Sequence, residues 1–539
     1  ELTYLGTTFR SGTDTEVVLQ ALIRWGTSAL SMFNGMFALA FHDRLEGRFL
    51  LARDRYGIKP LYYQETDKGL AFASEARAIR ELPGYEADLD LEALVEYFTF
   101  QNIFTDRTFD KGIRLLPSGT HLVVDLHGEQ RLTATRYWDY QFEEPTDRVE
   151  VAGYAEELDR LFVQAVERNL ISDVEVGSFL SGGLDSGSIT AVASSRVPKL
   201  KTFTCGFDME SVVGIELAFD ERAVATHAAA MYGTNHSEIA LRSGDMERVM
   251  SDVVFHIEEP RVGQSYPNYF AAQLASDQVK VVLSGAGGDE MFGGYPWRYY
   301  TNSDGGSFDE YIDNYYLYWQ RLISNSRLHR LFEPIRSQIE HVSTRDIFRD
   351  VFPAELRMAD TPQDYVNRSL YFEARTFLHG LLTVDDKLSM AHGLETRVPF
   401  LDNDLVDFAM SCPVDLKLRN PETRYRIDEN TPTNKTDMYF QKTHDGKLIL
   451  RSALNHYLPP EVAGGVKKGF SGPDATWFRG ESLEYVKSRL LASSNGLDGI
   501  AAPSVVSEIL EEHASGKANN RLAIWSLLYV EDLIGQTYR

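Results

Sequence analysis

The chain has 539 residues, and we expect two or more domains because a single hydrophobic core rarely grows so large. Its composition, 43% hydrophobic and 25% charged, is typical of a soluble globular protein, and no apolar run is long enough to span a bilayer. The net charge of −25 argues against nucleic acid as the main partner. Two cysteines, Cys205 and Cys412, form neither a disulfide framework nor a metal cluster, so we expect a cytoplasmic protein without membrane partners.

The first part of the chain predicts an α+β arrangement. Asp14 and Glu16 precede an amphipathic helix, and short apolar segments separated by polar turns then predict paired strands. These strands are expected at residues 36–42, 48–54, 61–64 and 69–74. A polar stretch around Pro145 indicates a linker, so the first domain should end near residue 142.

After the linker, strands and helices alternate, which indicates a parallel sheet with helices on both faces. The predicted strands are 174–180, 202–207, 236–241 and 279–283, and the helices between them are 185–194, 219–232 and 245–257. Ligands bind at the carboxyl ends of such strands. The glycine-rich turns 181–183, Gly206 and 284–288 all fall there. Beyond residue 304 the pattern becomes helical and rich in aromatic residues, and 521–534 forms a last amphipathic helix.

The segment SGGLDS, residues 181–186, follows an apolar strand and enters a helix. Glycines allow a ligand to approach the backbone closely, and a helix N-terminus offers N–H groups to an anion. We therefore expect a pyrophosphate site, although a simple glycine-rich turn is the alternative. The usual phosphate loop, G-x-x-x-x-G-K-[ST], is absent from the sequence, so the nucleotide chemistry should differ from that of ordinary NTPases.

Two aspartates follow separate strand ends in this pattern. Asp185 lies just past the SGG turn, and Asp289 lies after the strand 279–283. Carboxylates beside bound phosphates suit Mg²⁺, which prefers oxygen ligands. Each aspartate alone could instead be a helix cap. Together they predict a Mg²⁺ site.

Several longer motifs resemble one family in chain order. SGGLDS, SGAGGDEMFGGY at 284–295, LSMAHGLETRVPFLD at 388–402 and KKGFSGPDATWF at 467–478 are similar to glutamine-dependent asparagine synthetases. The segments GTDTEVVL, NGMFALAFHD, ARDRYGIKPLYY and SEARAI resemble the glutaminase domain of the same family. The resemblance covers nearly the whole chain.

The resemblance implies two domains. Residues 1–142 would form an α+β amidohydrolase-type domain with an N-terminal nucleophile, incomplete at its start, which releases ammonia from glutamine. Residues 150–539 would form an α/β parallel-sheet ATP-pyrophosphatase domain with helical additions. That domain would use ATP and Mg²⁺ to adenylate the aspartate side chain, and ammonia would then displace AMP to give asparagine.

The resemblance also implies roles for individual residues. Lys467 would face the α-phosphate, where a fixed cation stabilises charge in the transition state. The alternative for Lys467 is a surface lysine, a role that its neighbour Lys468 could also have. Lys387 would help to hold pyrophosphate. Asp14 would hold the α-amino group of glutamine, with a helix N-cap as its alternative. ATP would contact Leu180, Ser181, Gly182, Gly183, Asp185, Ser186, Gly206 and Gly285, and Asp185 and Asp289 would act in catalysis through the metal.

Two departures from the family pattern concern the acceptor carboxylate. Ala286 stands where many asparagine synthetases have an acidic residue, and the segment 258–269 lacks the Thr-Thr-x-Arg pattern that helps to hold aspartate. Arg261 and Ser265 are candidate substitutes. Aspartate is the expected acceptor, and a peptide or a secondary-metabolite precursor is the alternative.

Two other classes are less consistent with the residues. A non-catalytic nucleotide-binding regulator would not need SGGLDS, Asp289 and Lys467 together. An RNA-thiolating enzyme would need reactive cysteines and a basic surface. The sequence is compatible with a homodimer.

A third departure predicts which nitrogen source this chain uses. The family's glutaminase nucleophile is an N-terminal cysteine, whereas position 1 is Glu and neither cysteine lies in the first domain. The 539-residue protein should therefore use ammonium but not glutamine, and a full-length parent carrying the nucleophile should use both. Glutamate release from glutamine, measured for the two proteins side by side, tests this. Glutaminase activity in the 539-residue protein would show that the nucleophile is misassigned.

Overall fold

The structure is a computed structural model that describes residues 1–66, 69–126, 132–145, 151–213, 216–217, 219–300, 307–358, 361–420, 445–463 and 471–538. By their internal contacts the residues divide into two units. The first unit is Glu1–Glu86 with Gly112–Tyr140, and the second is Ala87–Lys111 with Gln141–Arg539.

Antiparallel sheets form the first unit. Its strands are β1 (Ala38–Asp43), β2 (Arg48–Arg53), β3 (Tyr62–Thr66), β4 (Gly69–Ala73), β5 (Arg114–Leu115), β6 (Thr120–Asp125) and β7 (Leu132–Arg136). They pair in the orders β1-β2-β6-β7 and β4-β3-β5. The helices are α1 (Asp14–Trp25) and α2 (Ala76–Arg80), with a 3₁₀ segment at Gly26–Met32. The four strands predicted from the sequence in this unit are thus confirmed.

Local signals explain where α1 begins and ends. The Thr13 side chain accepts a hydrogen bond from the backbone N–H of Glu16, which caps the first turn, and Gly26 ends the helix with a φ of 58°. Ala21 and Leu22 of α1 are buried against β2 residues Leu50 and Ala52 in one hydrophobic cluster. The helix therefore covers one face of the sheet that contains β2.

A buried arginine joins β2 to the segments after it. Arg53 is fully buried and donates hydrogen bonds to the carbonyl oxygens of Gly57, Lys59 and Leu116 at 2.6–2.7 Å. The neighbouring Asp54 accepts backbone hydrogen bonds from Phe37, Tyr56, Ile58 and Lys59. Burial raises the pKa of the Asp54 carboxyl, and these donors oppose that rise.

A parallel sheet organises the second unit. Its strands are β8 (Val176–Phe179), β9 (Lys201–Phe207), β10 (Asn235–Leu241), β11 (Val281–Leu283) and β12 (Glu395–Arg397), in the order β10-β9-β8-β11-β12. The order reverses between β8 and β11, so their carboxyl ends lie side by side at the topological switch point, where ligands bind in open α/β sheets.

The helices of the second unit surround this sheet and extend beyond it. They are α3 (Leu91–Phe100), α4 (Val151–Asn169), α5 (Leu184–Arg196), α6 (Arg222–Tyr232), α7 (Ser243–Ile257), α8 (Tyr266–Ser276), α9 (Gly288–Phe292), α10 (Pro296–Tyr299), α11 (Phe308–Trp319), α12 (Asn325–Leu331), α13 (Arg336–Ile339), α14 (Thr344–Asp350), α15 (Pro362–Glu373), α16 (His379–Met390), α17 (Asn403–Ser411) and α18 (Val414–Lys417). Further helices span Leu448–Leu454, Pro460–Ala463, Asp474–Trp477, Leu483–Leu490, Pro503–Ala514 and Arg521–Thr537. Short 3₁₀ segments lie at Glu333–Ile335, Ala354–Arg357, Pro399–Leu401 and Asn455–Tyr457, and Ala374–Leu378 is a π-helix. Among the described residues we find no helix whose length and apolar character would suit it to crossing a membrane.

The predicted alternation of strands and helices after the linker is confirmed, with two differences. Strand β12 was not predicted, because three residues carry no usable periodicity. Residues 91–100 lie within the predicted first domain, 1–142, but they form helix α3 of the second unit, where Tyr97 and Phe98 join the main hydrophobic cluster. The expected helical, aromatic core beyond residue 304 is present, with Tyr315, Trp319 and Phe372 in mutual ring contact.

Replacing Arg53 by Met should destabilise the first unit by about 3 kcal/mol or more, because several buried carbonyl oxygens lose their donor. Hydrogen–deuterium exchange over residues 53–61 should rise, and thermal unfolding should shift to lower temperature. Arg44→Met, at an exposed turn, is the matched control. Equal exchange in both variants would contradict a structural role for the buried guanidinium.

Candidate functional site

The turn after β8 leads from the sheet edge into α5. Gly183 is the N-cap of α5 and has no side chain that could compete for the first-turn N–H groups. The Ser186 hydroxyl accepts a hydrogen bond from the Ser181 backbone N–H at 3.0 Å and contacts the Ser181 hydroxyl at 2.8 Å. The loop is thus fixed by its own serines, with a helix N-terminus directed at the strand end, as anion binding requires.

Close packing explains the glycines of both turns. A Cβ on Gly182 would lie 3.1 Å from the Val224 side chain on α6. A Cβ on Gly285 would lie 3.0 Å from Cβ of Asp185, and one on Gly288 would lie 2.7 Å from an Asp185 carboxylate oxygen. The turn after β11 therefore approaches α5 as closely as its backbone allows, and larger residues would separate the two strand ends.

These turns bring the two predicted aspartates together. The Nζ of Lys447 lies 2.5 Å from Oδ2 of Asp185 and 2.5 Å from Oδ1 of Asp289. The two carboxylate oxygens are therefore at most about 5 Å apart. All three side chains are largely buried, with exposed fractions of 5% for Lys447, 13% for Asp185 and 8% for Asp289. Low exposure makes such charge interactions stronger than at the surface.

Lys447 is held in position by its backbone. It occupies the left-handed region, with a φ of 55°, directly before the helix Leu448–Leu454. Its backbone N–H donates to the carbonyl oxygen of Phe292 at the end of α9. A Cβ on Gly446 would lie 2.8 Å from the carbonyl oxygen of Gly293. The lysine is thus tied to α9, the helix that carries Asp289.

Arg451 adds a second cation near the same carboxylates. Burial lowers its pKa, and the charges of Asp185 and Asp289 oppose that change. Its guanidinium donates to the carbonyl oxygens of Ala463 at 2.8 Å and Gly446 at 3.3 Å. Two buried acids and two basic side chains therefore meet where β8 and β11 end.

The chemistry of this pair fits a divalent cation. Asp185 and Asp289 already hold one cation, the Lys447 ammonium, and a hard cation such as Mg²⁺ takes the same carboxylate oxygens as ligands. Within the described ranges, no cluster of three or more His, Cys, Asp or Glu side chains could hold a metal ion by itself. Mg²⁺ at this pair would thus rely on substrate phosphates for further ligands.

Two of the residues expected to contact ATP, Leu180 and Gly206, lie at the ends of β8 and β9. Leu180 is buried, and its N–H donates to the Phe203 carbonyl oxygen at 2.9 Å. Gly206 packs against Asp220 and Arg222, and a Cβ there would overlap the Asp220 carboxylate. That carboxylate pairs with the Arg222 guanidinium at 2.9 Å. The structure thus places both backbone positions at the same sheet edge as the SGG loop.

The structure places Lys387 in a buried ion pair. Its Nζ lies 2.5 Å from Oε2 of Glu258 and donates to the Ile257 carbonyl oxygen at 3.1 Å. These contacts fasten α16 to the end of α7, and the pyrophosphate role of Lys387 stays a prediction. Arg261, a candidate for holding aspartate, is also buried and pairs with Glu259 at 2.7 Å.

Two further predictions have different outcomes. Lys467 and its neighbour Lys468 lie outside the described residues. Asp14 is exposed in the first turn of α1, where Thr13 and not Asp14 is the N-cap. The capping alternative for Asp14 is therefore wrong, and its glutamine-binding role stays a prediction.

Sequence reasoning missed Lys447 and Arg451. The only local signal is a Gly-Lys turn before a helix, with an arginine four residues later. Such a pattern is common on solvated helices. Only the contacts between this helix and α9 show that both side chains approach Asp185 and Asp289.

Comparisons with known proteins agree with this geometry. The asparagine synthase family model matches residues 157–535, and the glutamine amidotransferase domain model matches residues 1–138. Asparagine synthetase [glutamine-hydrolyzing] 1 of Bacillus subtilis (strain 168) is 29% identical over 98% of this chain and 82% of its own length. A putative asparagine synthetase [glutamine-hydrolyzing] of Mycobacterium bovis is 30% identical over 97% of this chain and 80% of its own length.

A fungal protein is more distantly similar. Amidase chyE of Penicillium rubens is 25% identical over 90% of this chain and 76% of its own length. The family match spans most of the chain and includes both strand-end turns that carry Asp185 and Asp289. The chain belongs to the asparagine synthase family.

Proposed function

We propose that this protein is a glutamine-hydrolysing asparagine synthase. In the first step an oxygen of the aspartate side-chain carboxylate attacks the α-phosphorus of ATP, and pyrophosphate leaves. In the second step ammonia attacks the acyl carbon, the bond to AMP breaks, and a proton is lost. The products are asparagine, AMP and pyrophosphate.

One observation carries this proposal: two aspartates from adjacent strand ends share a cation beside a glycine-rich helix N-terminus. ATP-pyrophosphatase chemistry needs a pyrophosphate site and a metal site at the same place. The SGG turn supplies N–H groups for the first, and Asp185 and Asp289 supply oxygen ligands for the second.

Each residue of the site has its own role in the proposed reaction. Ser181, Gly182, Gly183 and Ser186 hold the departing pyrophosphate through backbone N–H groups and hydroxyls. Leu180 and Gly206 bind adenosine, and Gly285 keeps the second turn close. Mg²⁺ held by Asp185 and Asp289 would neutralise phosphate charge. Lys467 stabilises the negative charge that develops on the α-phosphate and then on the acyl oxygen, and Lys387 supports the pyrophosphate end.

Lys447 has a role of its own in the proposal. Its ammonium keeps two buried carboxylates close together before the nucleotide arrives. Once MgATP binds, the same ammonium would turn to the β- and γ-phosphates, since its side chain is long and its backbone N–H is hydrogen-bonded to the end of α9. The site is thus preorganised without metal.

In the proposal the first domain supplies ammonia where the family's cysteine nucleophile is present, and the synthetase uses free ammonium where it is not. We assign residues 1–142 to a glutaminase of the N-terminal-nucleophile type and residues 150–539 to the synthetase. Asp14 would hold the α-amino group of glutamine, and its exposed position in the first turn of α1 is compatible with that contact.

A second acceptor class has specific support. Ala286 cannot act as a base for ammonium, and Arg261 is engaged with Glu259 in the interior. Both facts separate this chain from synthetases that hold aspartate through a Thr-Thr-x-Arg pattern. The same adenylation and amidation of another carboxylate, such as a peptide or a secondary-metabolite precursor, is therefore the alternative.

A screen of carboxylates distinguishes these functions. Pyrophosphate and AMP release are measured with ATP, Mg²⁺ and ammonium, for L-aspartate and a panel of larger carboxylates. Release that depends on L-aspartate supports asparagine synthesis. Release with a larger carboxylate and none with aspartate would support the alternative, and no release with any acceptor would contradict both.

Replacing Asp185 or Asp289 by Asn should reduce AMP formation by at least about a hundredfold, because each carboxylate is a metal ligand in the proposal. Circular dichroism should show an unchanged fold. Asp173→Asn, at an exposed position before β8, is the control and should keep normal turnover. Near-normal turnover in both site variants would refute the metal assignment.

Replacing Lys447 by Met should destabilise the nucleotide-free protein by about 3–5 kcal/mol, because two buried carboxylates lose their shared cation. MgATP restores a cation to them, so the rise in melting temperature on adding MgATP should be larger than in the wild type. Turnover should fall as well. The exposed Lys517→Met is the control, and an unchanged MgATP shift in Lys447→Met would contradict the role of this ammonium.

A further inference from the structure

A buried carboxylate in the second unit has only one of its oxygens satisfied. Asp474 is fully buried, and its Oδ1 accepts a hydrogen bond from the Tyr266 hydroxyl at 3.0 Å. Its Oδ2 has no hydrogen-bond partner in the described part of the chain. Burial raises the pKa of this carboxyl to about 7. A buried acceptor without a hydrogen-bond donor lowers the stability of the folded protein, so its presence requires an explanation.

A buried donor on the opposite segment is also unsatisfied. Gln264 is 7% exposed, and its Oε1 accepts a hydrogen bond from the Ser471 hydroxyl at 3.4 Å. Its Nε2 has no hydrogen-bond partner within the described ranges. Gln264 therefore presents an N–H donor, and Asp474 an acceptor, from two segments that touch through Ser471 and Tyr266. The pair is complementary to a ligand with one acidic and one basic group.

The backbone at Gly472 passes directly beside the Tyr266 hydroxyl and the Asp474 carboxylate. A Cβ on Gly472 would overlap the Tyr266 hydroxyl and would lie 3.1 Å from Oδ2 of Asp474. The position also relates to the nucleotide site. Trp477, three residues after Asp474, packs its ring 6.2 Å from that of Phe207, which directly follows Gly206 on β9.

The described charges closest to Asp474 are one carboxylate and one guanidinium. Glu216 accepts hydrogen bonds from the backbone of Ala475 and Thr476 at 3.0 and 2.8 Å. Arg521 lies 3.6 Å from Glu216 and donates to the Ser471 hydroxyl at 3.2 Å. Among the described residues, one guanidinium thus faces two carboxylates, Glu216 and Asp474, and an ammonium group beside Asp474 would balance their charge.

We propose that Asp474 and Gln264 bind the amino-acid end of the acceptor: the Asp474 carboxylate takes its α-ammonium, and the Gln264 amide donates to its α-carboxylate. This inference rests on the proposed function and names residues that determine its acceptor. The acceptor class is an α-amino acid with a second carboxylate, which remains available for adenylation near the α-phosphate.

The two residues can be tested separately with two ligands. L-aspartate carries the α-ammonium, and succinate is the same skeleton without it. Binding of each is measured by calorimetry in the presence of Mg²⁺ and a non-hydrolysable ATP analogue. Asp474→Asn should weaken aspartate binding by about tenfold to a hundredfold and leave succinate binding nearly unchanged, because only the charged contact is lost. Gln264→Leu should weaken both ligands, since both keep the carboxylate.

The dependence on pH gives a second readout. Only ionised Asp474 pairs with an ammonium, so aspartate affinity in the wild type should rise as pH rises through about 7. Arg521 favours the ionised form, and so does the Tyr266 hydroxyl by its hydrogen bond, whereas Glu216 opposes it. Asp474→Asn should lose this dependence. The exposed Glu481→Gln is the control and should keep the wild-type affinities and pH profile.

The outcomes separate this inference from the proposed function. The inference is overturned if the wild-type protein binds aspartate no more tightly than succinate. It is also overturned if Asp474→Asn keeps the wild-type affinity for aspartate and the wild-type melting temperature. Ammonium chloride that displaces aspartate only when Asp474 is present would mean that the site takes ammonium itself, which also overturns it. If aspartate binding depends on Asp474 but no pyrophosphate is released, the proposed adenylation is contradicted and the aspartate subsite is supported.

Discussion

The pairing of Asp185 and Asp289 through one ammonium is the constraint on which the site depends. Two like charges this close in a partly dry interior repel strongly unless a cation lies between them. Lys447 provides that cation and is itself fixed to the end of α9. The turns after β8 and β11 can then stay in contact, and the glycines at 285 and 288 are the residues that allow the contact sterically.

Much of the fold follows from simple sequence patterns. Alternation of short apolar strands with helices predicts the parallel sheet, and glycine-rich turns at strand ends mark its functional edge. Strand β12 could not be predicted, because residues Glu395–Arg397 form a strand only by pairing with β11. Residues 91–100 lie within the predicted first domain by their position along the chain, whereas burial on nearly all faces of helix α3 places it in the second unit's core.

The candidate site, like the fold, could be predicted from the sequence only in part. The aspartates and the SGG turn are recognisable because their chemistry is local: a strand, a sharp turn and a helix N-terminus. Lys447 and Arg451 lie more than 150 residues beyond Asp289 in sequence, and only tertiary packing brings them to it. The unsatisfied atoms of Gln264 and Asp474 depend on burial, which no local pattern encodes.

The central claim is that this sheet edge joins a carboxylate to the α-phosphate of ATP. Aspartate labelled with ¹⁸O in its side-chain carboxylate tests it directly when it is incubated with the protein, MgATP and ammonium. Adenylation predicts that one labelled oxygen passes into AMP as the acyl bond breaks, with none in pyrophosphate. Label in inorganic phosphate with formation of ADP, or AMP without label, would contradict the claim.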